Sequence, residues 1–185
     1  MKRFFAGVWE ILEVVIIALV SVFVIRTFIV QPFLVRGASM SPTFEDGNYL
    51  LIDELTYRFR EPSRGEVIVF RPPTGQRDFF IKRIVGLPGE KITIRSGSVT
   101  ITPPLGDTPF VLTESYLSPD VKTTGEANVT LADNEYFVMG DNRANSFDSR
   151  HWGPLGRPNM VGLVRLKIFP FGDFGIFNTP AYAHQ

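Results

Sequence analysis

"FLVRGASMSPTFEDGNYLLID", residues 33–53, puts a turn-forming, hydroxyl-rich run from Gly37 to Thr43 directly after the most hydrophobic part of the chain. A loop in that place is either a plain linker or the support of a nucleophile held close to a membrane. The segment before it, "VWEILEVVIIALVSVFVIRTFIV", follows Lys2 and Arg3. Its uncharged part, Val14 to Ile25, would reach about 18 Å as a helix, short of a hydrocarbon core of about 30 Å. From Trp9 to Arg26 the reach is about 27 Å, with Glu10, Glu13 and Arg26 near the ends, where long side chains meet water. That length serves for a single span, apolar all round as a buried core helix would not be. A cleavable leader would need small residues after the run, and Arg26-Thr27-Phe28-Ile29-Val30-Gln31-Pro32 stands there instead. The expectation is one retained amino-terminal transmembrane anchor over residues 9–30, after a cytoplasmic tail at 1–8. Lys2 and Arg3 favour a cytoplasmic amino terminus, while Arg26 and Arg36 dilute that charge rule.

Beyond the anchor the chain reads as short strands. "EVIVFRPP" (66–73) is a β-branched run stopped by two prolines. "FFIKRIV" (79–85) leads into the turn Gly86-Leu87-Pro88-Gly89. "KITIR" and "SVTI" flank Ser96-Gly97 as a hairpin, and "EYFVMGD" (135–141) and "MVGLVRLKIF" (160–169) complete the set. Residues 103–134 are Pro-, Thr- and Asp-rich and read as a small insertion with little core. The fold class expected is mainly β, an antiparallel and partly closed core over residues 31–175, with a tail at 176–185.

Composition narrows the chemistry. Nineteen basic and nineteen acidic residues cancel, so no nucleic-acid partner is indicated. Cys is absent, which removes thiolate nucleophiles and disulfides. With only His151 and His184, a zinc site would need carboxylates and water to complete it, so neither metal nor cofactor is expected. Seventeen Phe fit either a Phe-rich core or an apolar surface that meets lipid.

Candidate chemistry sits at Ser39, at Lys82, in "MGDNRANSFDSRHWG" (139–153) and at His151. Taken singly, each has a plainer reading: a capping serine, a solvent-facing strand lysine, a structural turn, a loop histidine. Together they read differently. A serine hydroxyl hardly ionises at neutral pH and needs a base. Lys82, among Phe79, Phe80, Ile81, Ile84 and Val85, has the surroundings that disfavour an ammonium and leave a neutral amine. Strand alternation would put Phe33, Val35, Gly37 and Ser39 on one face, and Phe80 with Lys82 on another.

The pattern resembles the bacterial type I signal peptidases. It carries "GxSMxPT" as "GASMSPT", "KRxxGLPGE" as "KRIVGLPGE", and "GDNRxNSxDSRxWG" as "GDNRANSFDSRHWG", in family order, with "RGEVIVFRPP" between the first two. The resemblance covers most of residues 9–169. It implies a Ser–Lys endopeptidase that cleaves exported preproteins after a small-x-small sequence, usually Ala-x-Ala, through an acyl-enzyme. By that similarity Ser39 is the nucleophile, Lys82 the general base and Ser146 the hydroxyl that bonds and orients the lysine amine. Asp148 and Arg150 are a supporting ion pair, and Asp141, Asn142 and Arg143 the start of their block. The matching substrate pockets are Phe33, Val35 and Ile81, whereas alternation would set Phe80 beside Lys82. Gly37 stands where some members place an oxyanion-binding serine, leaving the Ser39 N–H and a second donor from elsewhere. Ala144 replaces an aspartate that many members carry.

The partners implied are signal peptides and the lipid bilayer, and the location a plasma (inner) membrane with the catalytic domain on the extracytoplasmic side. Phe28, Ile29, Phe33 and "IFPFGDFGIF" are candidates for a lipid-dipping surface, or equally for core filling. Ala181-Tyr182-Ala183 is itself a small-x-small sequence. Rival readings are a self-cleaving repressor-type Ser–Lys peptidase, which lacks the span and the 139–153 block, and an inactive peptide-binding module, which has no need of the Ser–Lys pair.

Overall fold

The computed structural model describes residues 2–28, 30–76, 78–104 and 108–180. The chain starts with helix α1 (Lys2–Phe28) and passes into β1 (Val30–Leu34). Between Trp9 and Phe23 the described side chains of α1 are exposed, among them Val14, Ile17, Leu19 and Phe23. Among the described residues no helix is long and apolar enough to cross a membrane. Ala181-Tyr182-Ala183 and the side chains of Arg26, Phe28 and Ile29 lie outside the described residues.

The remaining elements are mainly β. They are β2 (Tyr49–Asp53), β3 (Val67–Phe70), β4 (Phe80–Gly86), β5 (Lys91–Arg95), β6 (Ser98–Thr102), β7 (Phe110–Val111) and β8 (Ala127–Thr130), followed by β9 (Glu135–Met139), the single-turn helix α2 (Ser149–Trp152), β10 (Leu155–Gly156), β11 (Met160–Phe169) and β12 (Gly175–Ile176). All pairings are antiparallel. The larger sheet runs β1-β2-β11-β3-β4-β9-β10, with β12 beside β11. Its length in the chain conceals its order: β11, near the carboxyl end of the sequence, is wedged between β2 and β3.

The sheet curls, so strands far apart in it share a core. Val35, Leu50 and Ile52 from the β1–β2 side pack with Val67, Val69 and Val164, and Phe33 and Ile81 join the rim of that cluster. On the other face Ile68, Phe70, Ile84, Tyr136 and Leu155 form a second cluster, with Phe80 and Trp152 against it. This division follows strand alternation: Val67 and Val69 point one way, Ile68 and Phe70 the other.

The second sheet, β7-β6-β5-β8, draws its central hairpin from residues 91–102 and so begins before the 103–134 insertion expected from sequence. It has a core of its own. Ile92, Ile94, Val99, Ile101, Leu112 and Leu131 bury against Val85, Phe137 and Met139 of the larger sheet. The alternating β5 and β6 sequences supply one apolar face each, and that face needs β4 and β9 to cover it.

Candidate active site

Ser39 does not sit on a strand. β1 ends at Leu34, and residues 37–43 form a tight turn in which Gly37 has φ +83°, a left-handed value that favours glycine. The alternation expected to run from Phe33 to Ser39 therefore stops short of Ser39. Gly37 donates its N–H to the Asp46 carboxylate at 2.7 Å, so it shapes the turn and has no free donor for an oxyanion. Met40 and Phe44, both fully buried, pin the turn to the core, and the Phe44 N–H bonds the Met40 carbonyl at 2.9 Å. The Ser39 N–H makes no hydrogen bond among the described residues.

Lys82 comes from the middle of β4 and is 4% exposed. β1 and β4 are not neighbours in the sheet, so the curl, and not direct pairing, brings the two residues together. The Lys82 Nζ lies 2.7 Å from the Ser39 Oγ and 2.9 Å from the Ile81 carbonyl oxygen. Burial pushes the lysine down to about 8, against the pull of the Asp148 and Asp141 carboxylates towards the charged form. The β3–β4 register runs unbroken from Val67–Arg83 to Phe70–Phe80, so Ile81 and Lys82 leave opposite faces. A cleft of about 650 Å³ is lined by Phe33, Val35, Phe80 and Ile81 as well as Ser39 and Lys82. The Phe80 ring lies 5.4 Å from the amine, and Phe33 meets Phe79 edge to face.

The 139–153 block is held by buried ions. Arg83, next to Lys82, binds Asp141 through two N–H donors, and Asp141 also accepts from the Thr43 hydroxyl at 2.6 Å. Thr43 thus ties the Ser39 turn to the block, a role that sequence reading did not assign. Asp148 and Arg150 are paired at 2.8 Å, and the Gly140 N–H donates to the same carboxylate. Burial opposes ionisation of Asp148, but these bonds outweigh it and hold the carboxyl below its ordinary range. The Arg150 guanidinium continues to the carbonyls of Arg143 and Thr124. Arg143, fully buried, binds Glu114 and the Thr123 hydroxyl from the second sheet's loops, so the insertion buttresses the block.

Ser146 differs from its expected place. Its buried Oγ makes no bond to Lys82, and its hydroxyl instead favours the charged form of the Asp148 carboxylate. The lysine amine spends its bonds on Ser39 and Ile81, and the Ser146 hydroxyl packs beside Gly140. His151 meets Phe147 with ring centroids 5.2 Å apart and the planes tilted by 38°.

The chain has relatives among characterised families. The family profile described as "Signal peptidase, peptidase S26" matches residues 8–169. The chain is 33% identical over 178 residues to a probable signal peptidase I-2 of Synechocystis, covering 93% of this chain and 78% of that protein. It is 33% identical over 166 residues to the signal peptidase I U of Bacillus subtilis, covering 88% of each. A crystal structure of a signal peptidase I from Enterococcus faecalis aligns with a TM-score of 0.46 and 28% identity, over 56% of this chain and 97% of that one.

Proposed function

Since the chain belongs to the peptidase S26 family of signal peptidases, and is a serine endopeptidase that removes signal peptides, we propose that Ser39 and Lys82 are its catalytic dyad. The observation that carries this reading is the 2.7 Å contact between a serine hydroxyl and a lysine amine that is 4% exposed. A neutral amine takes the Ser39 proton as the Oγ attacks the scissile carbonyl. The oxyanion that forms meets the Ser39 N–H, which has no hydrogen-bond partner among the described residues. The Lys82 ammonium then protonates the departing amine, leaving an acyl-enzyme on Ser39. Water, deprotonated by the neutral Lys82, releases the acyl group. This is triad logic with one residue in place of two.

The substrate is the junction of a signal peptide with its exported protein, cut after a small-x-small sequence. Phe33, Val35 and Ile81 border the cleft beside the dyad, and a side chain much larger than Ala would have to displace packed atoms there. In this reading residues 9–30 form a single membrane anchor with a cytoplasmic amino terminus, and the β domain works outside the plasma membrane. The exposed apolar side chains of α1 support it, as does the nucleophile turn beginning so soon after Phe28. Phe171, Phe174 and Ile176, exposed near the end of β11, fit contact with the same bilayer.

The test is incubation of the full chain in detergent with a synthetic preprotein bearing an Ala-x-Ala site. Wild type is expected to release the signal peptide at that site and Ser39→Ala to release none. Cleavage by the serine variant would overturn the assignment.

A further inference from the structure

Asn142 grips the nucleophile turn at two successive peptide groups. Its Nδ2 donates to the Ala38 carbonyl at 3.0 Å, and its backbone N–H donates to the Ser39 carbonyl at 3.1 Å. The amide orientation is fixed from both ends, because the Asn142 Oδ1 accepts the Asn145 N–H at 3.2 Å. The approach is close: a Cβ at Gly140 would lie 2.3 Å from the Ser39 carbonyl oxygen. Ser41 adds a second donor to the Ala38 carbonyl at 3.2 Å.

The Ala38 carbonyl and the Ser39 N–H belong to one peptide unit. In a trans peptide these two groups point in opposite directions, and the plane resists rotation. Whatever fixes the carbonyl therefore aims the N–H. A donor on the carbonyl also draws charge along the unit and makes its N–H a better donor in turn. The Gly37 N–H is committed to Asp46, so the burden on this one N–H is greater.

From this geometry we infer that Asn142 is a positioning residue for the oxyanion, acting through the Ala38–Ser39 peptide to aim and polarise the Ser39 N–H. The inference rests on Ser39 being the nucleophile. It assigns to the side-chain amide a function separate from the buried ion pairs that hold the rest of the block. Asn142 itself touches neither the Ser39 Oγ nor the Lys82 amine, so its loss should weaken stabilisation of the transition state and leave proton transfer to Lys82 alone.

The experiment compares Asn142→Asp and Asn142→Ala with wild type on an Ala-x-Ala peptide, measuring kcat, KM, the pH–rate profile and Tm. Asn142→Asp keeps the backbone bond to Ser39 and an acceptor for Asn145, but replaces the donor on the Ala38 carbonyl with a negative charge, so the pH midpoint is read from Asn142→Ala. Removing an oxyanion donor outright costs about 10²–10³ in kcat, and misaiming one should cost about 10- to 100-fold. The expected result is that loss in kcat for both variants, with KM within about twofold and the pH midpoint of the rate unchanged in Asn142→Ala. A kcat within twofold of wild type in Asn142→Asp overturns the inference. So does a shifted pH midpoint in Asn142→Ala, which would route the effect through Lys82, or a loss in both variants that follows their unfolding. Ser39→Ala in the same assay separates the two levels: cleavage by that variant sinks the dyad, whereas normal turnover by Asn142→Asp with a dead Ser39→Ala sinks only the role of Asn142.

Discussion

Arg83 binds Asp141 through its Nε and Nη2, at 2.8 and 2.6 Å, with both side chains fully shielded from solvent. This pair joins the strand of Lys82 to the 139–153 block, and Thr43 extends it to the turn of Ser39. Asp141→Asn should therefore loosen three segments at once. Breaking a buried pair by removing one partner costs about 3–5 kcal/mol, and urea denaturation should show a loss of that order with reduced cleavage. A loss under about 1 kcal/mol would count against the pair as the strut of the site.

The rate should climb with pH. Burial pushes Lys82 down to about 8, and only its neutral form accepts the Ser39 proton. Below that value kcat/KM should rise about tenfold per pH unit, then level off above it. A profile flat across neutral pH would remove Lys82 as the base.

The same depression makes a stability prediction. A lysine whose folded value lies below its free value of 10.5 binds its proton more weakly in the folded chain. Stability then rises with pH between about 8 and 10.5, and the cost of burying the amine is fully present below about 8. Lys82→Met escapes that cost. Its stability relative to wild type should be greatest near pH 7 and decline by about 2–4 kcal/mol by pH 10.5. A pH-independent difference in melting profiles would refute it.

Gly140→Ala should impair catalysis without touching a reacting atom. The new methyl would lie 2.3 Å from both the Ser39 carbonyl and the Ser146 hydroxyl, and the first of these is rigid backbone. The turn must move, with a strain of about 1–3 kcal/mol and at least about a tenfold fall in turnover. Wild-type rates in this variant would mean the turn has more freedom than its bonds to Asn142 allow.

Much of the site was legible because its chemistry is local. The "GASMSPT", "KRIVGLPGE" and "GDNRANSFDSRHWG" segments each announce themselves, and an apolar run around a lysine is visible in one line of text. The contacts that hold these segments together were not legible. Thr43 and Asp141 are 98 residues apart, Ala38 and Asn142 are 104 apart, and no periodicity links either pair. Glu114 lies in a weakly patterned stretch, and nothing in its neighbours points to Arg143. Alternation failed at Ser39 for a physical reason. Gly37 takes a left-handed backbone and ends the two-residue period. It failed again to rank Phe80 above Ile81, because a cleft at the rim of a curled sheet is walled by both faces.

The position of β11 has a consequence for when the enzyme becomes dangerous. The hairpin that carries Ser39 and the one that carries Lys82 share no strand until residues 160–169 slot between them. A nascent chain on the ribosome, complete through Ser39 and Lys82 but lacking that last strand, ties the two only through side-chain contacts to the 139–153 block, with no strand to join their hairpins. Proteolytic competence thus arrives only once synthesis is nearly finished, and a chain cut before Met160 should stay inert towards peptide and unreactive at Ser39 towards acylating probes.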